Sequence, residues 1–174
     1  KFVACAAAVA TLALAGCQPV ALGGGGPALD SGAPVPVALL VPAGSGVTTD
    51  ESMAKSLENA ARLAMADMSG VRIDLRVYPT AGQPARAASA AAKAVNDGAK
   101  IILGPLYAEE ANAAGAAVAA SGVNLLSFSN NPDIAGGNVF ILGSTFQNTA
   151  NRIVQYGAQT GKRRILMVSA QTPA

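Results

Sequence analysis

The chain contains no histidine and only two cysteines, Cys5 and Cys17, so the side chains that could do chemistry are few. Without His there is no Ser-His-Asp or Cys-His nucleophile, and soft-metal sites lose their usual ligands. An enzyme would have to work with carboxylates, lysines or serines alone. The acidic residues fall at predicted helix starts, with Asp50 and Glu51 at one and Glu109 and Glu110 at another. There they complement helix dipoles more readily than they pair for acid–base work. Gly44-x-Gly46 follows a strand-like run, but Thr49 stands where a dinucleotide fingerprint needs its third glycine, and Tyr78-Pro79-Thr80 offers no acid to a ribose. What remains are hydroxyls, amides and one phenol on three loops: Ser45 on the first, Tyr107 on the second, and Ser127, Ser129, Asn130 and Asn131 on the third. Such groups orient a bound molecule rather than react with it, and they serve equally well as turn residues. No cofactor, metal or catalytic residue is expected.

The elements that must position these loops can be read from periodicity. Val35 to Val41 is an apolar run of strand length. Thr48 and Glu51 are spaced as a capping box, and Met53, Leu57, Ala60, Ala61, Ala64 and Met68 follow on one helical face, stopped by Gly70. Val71 to Tyr78 alternates apolar residues with Arg72, Asp74 and Arg76, the mark of a strand near a sheet edge. Pro84 opens an Ala-rich helix that closes at Asn96-Asp97-Gly98. Further strands are expected over Lys100 to Leu103, Val123 to Phe128, Val139 to Leu142 and Ile165 to Val168. Between them lie a helix with Ala111, Ala114, Gly115 and Val118 on one face, and another, capped by Ser144 and Gln147, with Phe146, Ala150, Ile153, Val154 and Gly157 on one face. Strands alternating with helices predict an α/β fold with a mostly parallel sheet, whose ligands bind beyond the carboxyl ends of the strands. The three loops sit at those ends.

The first seventeen residues are of another kind. Lys1, an apolar run from Phe2 to Ala15 and small residues before a cysteine form a secretory signal, too short to span a bilayer. Leu14-Ala15-Gly16-Cys17 resembles the bacterial lipobox, which implies that Cys17 is acylated and becomes the first residue of the mature protein. Gln18 follows where that resemblance expects Asp for inner-membrane retention, which implies the outer membrane, with the domain facing the periplasm. Residues 18–34 are rich in Gly and Pro and read as a tether, roughly 20 to 25 Å as a coil and about 55 Å at full stretch. The 174 residues are 51% apolar with a net charge of +2, twelve basic residues scattered among ten acidic ones. That balance gives no basic patch for a nucleic acid.

Taken in order, Val37 to Pro42 with Gly44-Ser45-Gly46, then Ile101-Ile102-Leu103-Gly104-Pro105-Leu106, then Asn124 to Asn130 resemble the type I periplasmic-binding-protein fold of the leucine-binding-protein clan. Within that clan they look most like penicillin-binding protein activator lipoproteins. The resemblance implies two Rossmann-like lobes with a cleft between them: a complete first lobe over residues 35–143, and the start of a second over 144–174, left incomplete. By their place at the carboxyl ends of the strands, Ser45, Tyr107, Ser127, Ser129 and Asn130 are the candidates to line that cleft. In amino-acid-binding members a Ser/Thr run holds the ligand's backbone groups. This chain has Tyr107-Ala108-Glu109-Glu110 there, and Ser129-Asn130-Asn131-Pro132 after the fourth strand. The implied function is therefore non-catalytic regulation of peptidoglycan synthesis by contact with a synthase. The alternative is the solute-binding component of an ABC importer with a branched-chain amino-acid type of ligand.

Overall fold

A computed structural model describes residues 26–29, 32–166 and 168. The signal segment, Cys17 and most of the tether lie outside the described residues. Five strands form one parallel sheet: β1 (Val35–Val41), β2 (Ile73–Pro79), β3 (Ile101–Leu103), β4 (Asn124–Ser127) and β5 (Val139–Ile141), in the order β2-β1-β3-β4-β5. Four helices, α1 (Thr48–Ala66), α2 (Pro84–Asn96), α3 (Ala108–Val118) and α4 (Phe146–Gln159), follow β1, β2, β3 and β5. The strand order reverses direction between β1 and β3, the switch point at which such sheets open a crevice. As the alternation of Arg72, Asp74 and Arg76 predicts, β2 is an edge strand. Among the described residues no helix is long and apolar enough to cross a membrane.

Because successive strand residues point to opposite faces, β1 feeds two cores. Ala38 and Leu40 join Ile102, Leu125 and Val139 beneath α2 and α3, whose contact surfaces are almost entirely alanine: Ala87, Ala91, Ala94, Ala111 and Ala114. Leu39 and Val41 face the other way, onto α1, with Leu75, Val77, Leu103 and Phe128 around them. Small side chains bring α3 close to the sheet. A Cβ at Gly115 would overlap the Val139 side chain, so glycine is required there by space alone.

Four expectations are corrected. The buried stripe of α1 runs through Ala54, Leu57 and Ala61, while Met53 and Met68 are exposed. The sheet selects the narrow alanine face that lets the helix approach, and a period read from bulky residues is displaced by one position. Thr48 does not cap α1: Val47 is the N-cap, without a side-chain bond, and the Glu51 carboxylate reaches back to loop amides instead. For α4 the cap is Thr145, whose hydroxyl accepts from Asn148 N at 3.1 Å, not Ser144. Ile165 to Val168 forms no strand among its described residues, and Ile165, Leu166 and Val168 are exposed. A strand is held by ladder bonds to a neighbour, and none of the five strands of the sheet lies beside it. The face of α4 also lacks cover: it contributes no buried residue, and Phe146 and Ile153 stand 68% and 63% exposed.

Candidate functional site

The carboxyl ends of β1, β3 and β4 carry the three loops named above, and each is built from its own hydrogen bonds. After β1, Gly44 and Gly46 take positive φ values, and their N–H groups donate to Glu51 Oε1 at 2.8 and 3.3 Å. Ser45 Oγ accepts from Val47 N at 3.0 Å. The amides of Gly44, Gly46 and Val47 are thus satisfied inside the loop. After β4 a relay of side chains shapes the turn. Ser127 Oγ donates to the Pro105 carbonyl and accepts from Ser129 N, Ser129 Oγ accepts from Asn131 N, and Asn131 Oδ1 accepts from Asp133 N. These are Ser/Thr-type and Asx turns, in which short polar side chains substitute for backbone acceptors. Asn130, the residue left out of the relay, is exposed.

The loop after β3 begins with Gly104 at φ +84°, in a cis peptide bond with Pro105. Glycine is needed at 104 because a Cβ would collide with the Leu40 carbonyl oxygen. The loop delivers Tyr107, the N-cap of α3. Its hydroxyl donates to Asp50 Oδ1 of α1 at 2.6 Å, across the switch point. The bond to Asp50, then partial burial, then the carboxylate's charge push the phenol up to about 12. The ring lies over Gly82 in the loop after β2, beside Ala81, a non-glycine residue at φ +53°.

Between the second and third loops and the start of α4 lies a cavity of ≈ 540 Å³. Tyr107, Ser129 and Asn130 line it, with Leu106, Asn131, Asp133, Phe146 and Gln147 among their neighbours. Of the five residues expected at a cleft, the structure brings these three together. Ser45 stays on its own loop, and Ser127 is fully buried beneath the site. No Lys or Arg lines the cavity, and its one charged residue is Asp133. Two aromatic rings, amides and a hydroxyl offer stacking and hydrogen bonding to a small molecule. Among the described residues no group of three His, Cys, Asp or Glu could hold a metal ion.

Glu110 was expected only to complement a helix dipole. Instead it is fully buried, and neither carboxyl oxygen has a hydrogen-bond partner. Burial raises its proton affinity. The neighbouring Thr80 hydroxyl and Tyr107 N–H lower it by less, and the Asp50 charge adds to the rise. The signal was present in the sequence: Glu110 precedes Ala114 by four residues, on the small-residue face that packs the sheet.

The model of the periplasmic binding protein family matches residues 34–174. The chain belongs to the periplasmic binding protein family. A leucine-binding protein of Thermotoga maritima is 20% identical with a TM-score of 0.59, covering 72% of this chain and 38% of its own. A solute-binding protein of an ABC transporter from Rhodopseudomonas palustris, in complex with 3,4-dihydroxybenzoic acid, is 22% identical with a TM-score of 0.59, covering 73% and 36%. An ABC transporter substrate-binding protein from Desulfitobacterium hafniense, in complex with Leu, is 21% identical with a TM-score of 0.57, covering 74% and 40%. No curated protein matches the chain. At these identities the family members share the fold, and the expected type I architecture stands. The match covers less than half the length of each of those structures.

Proposed function

We propose that this chain is part of a non-catalytic periplasmic lipoprotein that regulates peptidoglycan synthesis by contact with a synthase, as the penicillin-binding protein activators it resembles do. The observation that carries this reading is the fate of the loop hydroxyls. Ser45, Ser127 and Ser129 each accept a backbone N–H of their own loop, and no cation lines the cavity. An amino-acid carboxylate therefore meets no charged side-chain anchor there, only neutral donors such as the Ser129 hydroxyl and the Asn130 amide. In this reading Cys17 carries the lipid, the anchor lies in the outer membrane, and residues 18–34 hold the domain in the periplasm. The 144–174 segment begins a second lobe, and α4's exposed apolar face supports that assignment because it is amphipathic without a partner.

A second reading, the solute-binding component of an ABC importer, is favoured by the cavity itself, where Tyr107 and Phe146 provide aromatic walls of the kind small ligands use. One pair of measurements separates the two. Lipidated full-length protein is expected to retain a class A synthase in a pull-down and to give no calorimetric binding signal with free leucine or isoleucine. Tight amino-acid binding without synthase retention would reverse the order.

A further inference from the structure

Among the described residues β2 is bonded to β1 alone, and its outer edge is open. Two bonds show which backbone groups face outward. The Arg72 carbonyl accepts from Val35 N at 2.8 Å, and Thr80 N donates to the Val41 carbonyl at 2.9 Å. Strand residues turn their backbone groups to alternate edges, so the even-numbered residues address β1 and Ile73, Leu75 and Val77 present N–H and C=O outward. Pro79 falls on the same outward row, where its missing N–H disturbs no bond of the sheet.

Beside that edge, on the α2 face, runs an open groove of ≈ 630 Å³, lined by Arg76 and Tyr78 of the strand and by Arg86, Ser89 and Lys93 of α2. The helix residues recur every three or four positions, so one face of α2 overlooks the strand for about 10 Å, the length of three to four extended residues. Arg76 is paired with Asp74 and Lys93 with Asp97, while Arg86 is exposed and has no carboxylate partner among the described residues. Three cations against two acids leave the groove positive.

We propose that this edge receives an extended acidic segment of a partner protein as a sixth strand. The backbone of that segment bonds to Ile73, Leu75 and Val77, and its alternate side chains reach Arg86 and Lys93. Strand addition of this kind takes affinity from the main chain and selectivity from the side chains along the groove. A second copy of the chain is disfavoured, because its own Arg76, Arg86 and Lys93 would arrive on the same face as like charges. The inference is independent of what the cleft binds, and the two readings fail separately.

The test uses the whole chain and two short peptides, one alternating Glu with Val and one alternating Lys with Val. The Glu peptide is expected to bind, to shift the amide resonances of Ile73, Leu75 and Val77, and to weaken as salt is added. Arg86→Glu should lower its affinity about tenfold while leaving the circular dichroism unchanged, and Arg86→Lys should restore it. Equal binding of the two peptides, binding of neither, indifference to Arg86→Glu, or a concentration-dependent dimer that protects the same amides would each overturn the proposal.

Discussion

Replacing Glu110 by Gln is expected to stabilise the protein at neutral pH. The carboxyl is fully buried with both oxygens unbonded, and the nearby Thr80 hydroxyl already donates to the Val41 carbonyl at 3.1 Å. A carboxylate in that position can only accept, whereas a carboxamide can donate to the lone pairs of Thr80 Oγ1 and accept from the Tyr107 N–H. Leaving a buried polar group unsatisfied costs about 1–3 kcal/mol, so recovering part of it is worth roughly 1 kcal/mol, or about 3–4 °C in Tm for a lobe of this size. The pH dependence carries the sign. The folded state raises the Glu110 pKa, mainly through burial, so its favourable contribution is complete below the unfolded value and is lost as pH rises through the folded one. Thermal unfolding of both proteins, followed by circular dichroism from about pH 4 to pH 8, should show a gap that is wide at neutral pH and closes in acid. A Gln variant less stable than wild type at neutral pH, or a gap that does not change with pH, would refute the reasoning.

Other expectations rest on separate features. Gly115→Ala forces a methyl group onto Val139, and overpacking should outweigh the gain in helix propensity by about 1–2 kcal/mol in urea unfolding. Gly104→Ala combines a positive φ with a collision against the Leu40 carbonyl and should cost roughly 2 kcal/mol or more by the same measurement. In Asp50→Asn the Tyr107 phenol loses its charged acceptor, and its ionisation, followed by the ring Cζ resonance, should move down from about 12 toward the ordinary tyrosine value. Phe146→Ser with Ile153→Ser removes exposed apolar surface from α4 and should reduce light scattering and dye binding by this chain.

Much of the architecture was legible because it is encoded locally. The apolar run from Val35 to Val41, the alternation through Arg72, Asp74 and Arg76, and the stops at Gly98 and Gly161 each act within a few residues, on the scale where periods of 2 and 3.6 are written, whereas α1 ends at Ala66, ahead of the expected stop at Gly70. The loops at the carboxyl ends of the strands followed from that order, and with them the placement of Tyr107, Ser129 and Asn130. Strand boundaries moved by one or two residues, as at β4, which begins at Asn124 and not Val123. The lipobox and tether readings are likewise local, but they fall on residues that the structure mostly does not describe.

What a side chain meets across the fold was not legible. Ser45, Ser127 and Ser129 look in sequence like ligand hydroxyls, yet their lone pairs serve loop amides, a choice made only when the loops take their turn geometry. Asp50 and Tyr107 are separated by 57 residues and meet because β1 and β3 are neighbours at the switch point. The spacing of Glu110 to Ala114 marks its face of α3, but that its carboxyl is buried without a partner while Glu109 stays in water follows only from the docking of α3 onto the sheet. The sequence by itself determined the alternation of strands and helices, since propensity and period act over a single turn or strand. The tertiary structure decided which polar groups are spent and which are free, because satisfaction of a hydrogen bond depends on distance in space and not along the chain.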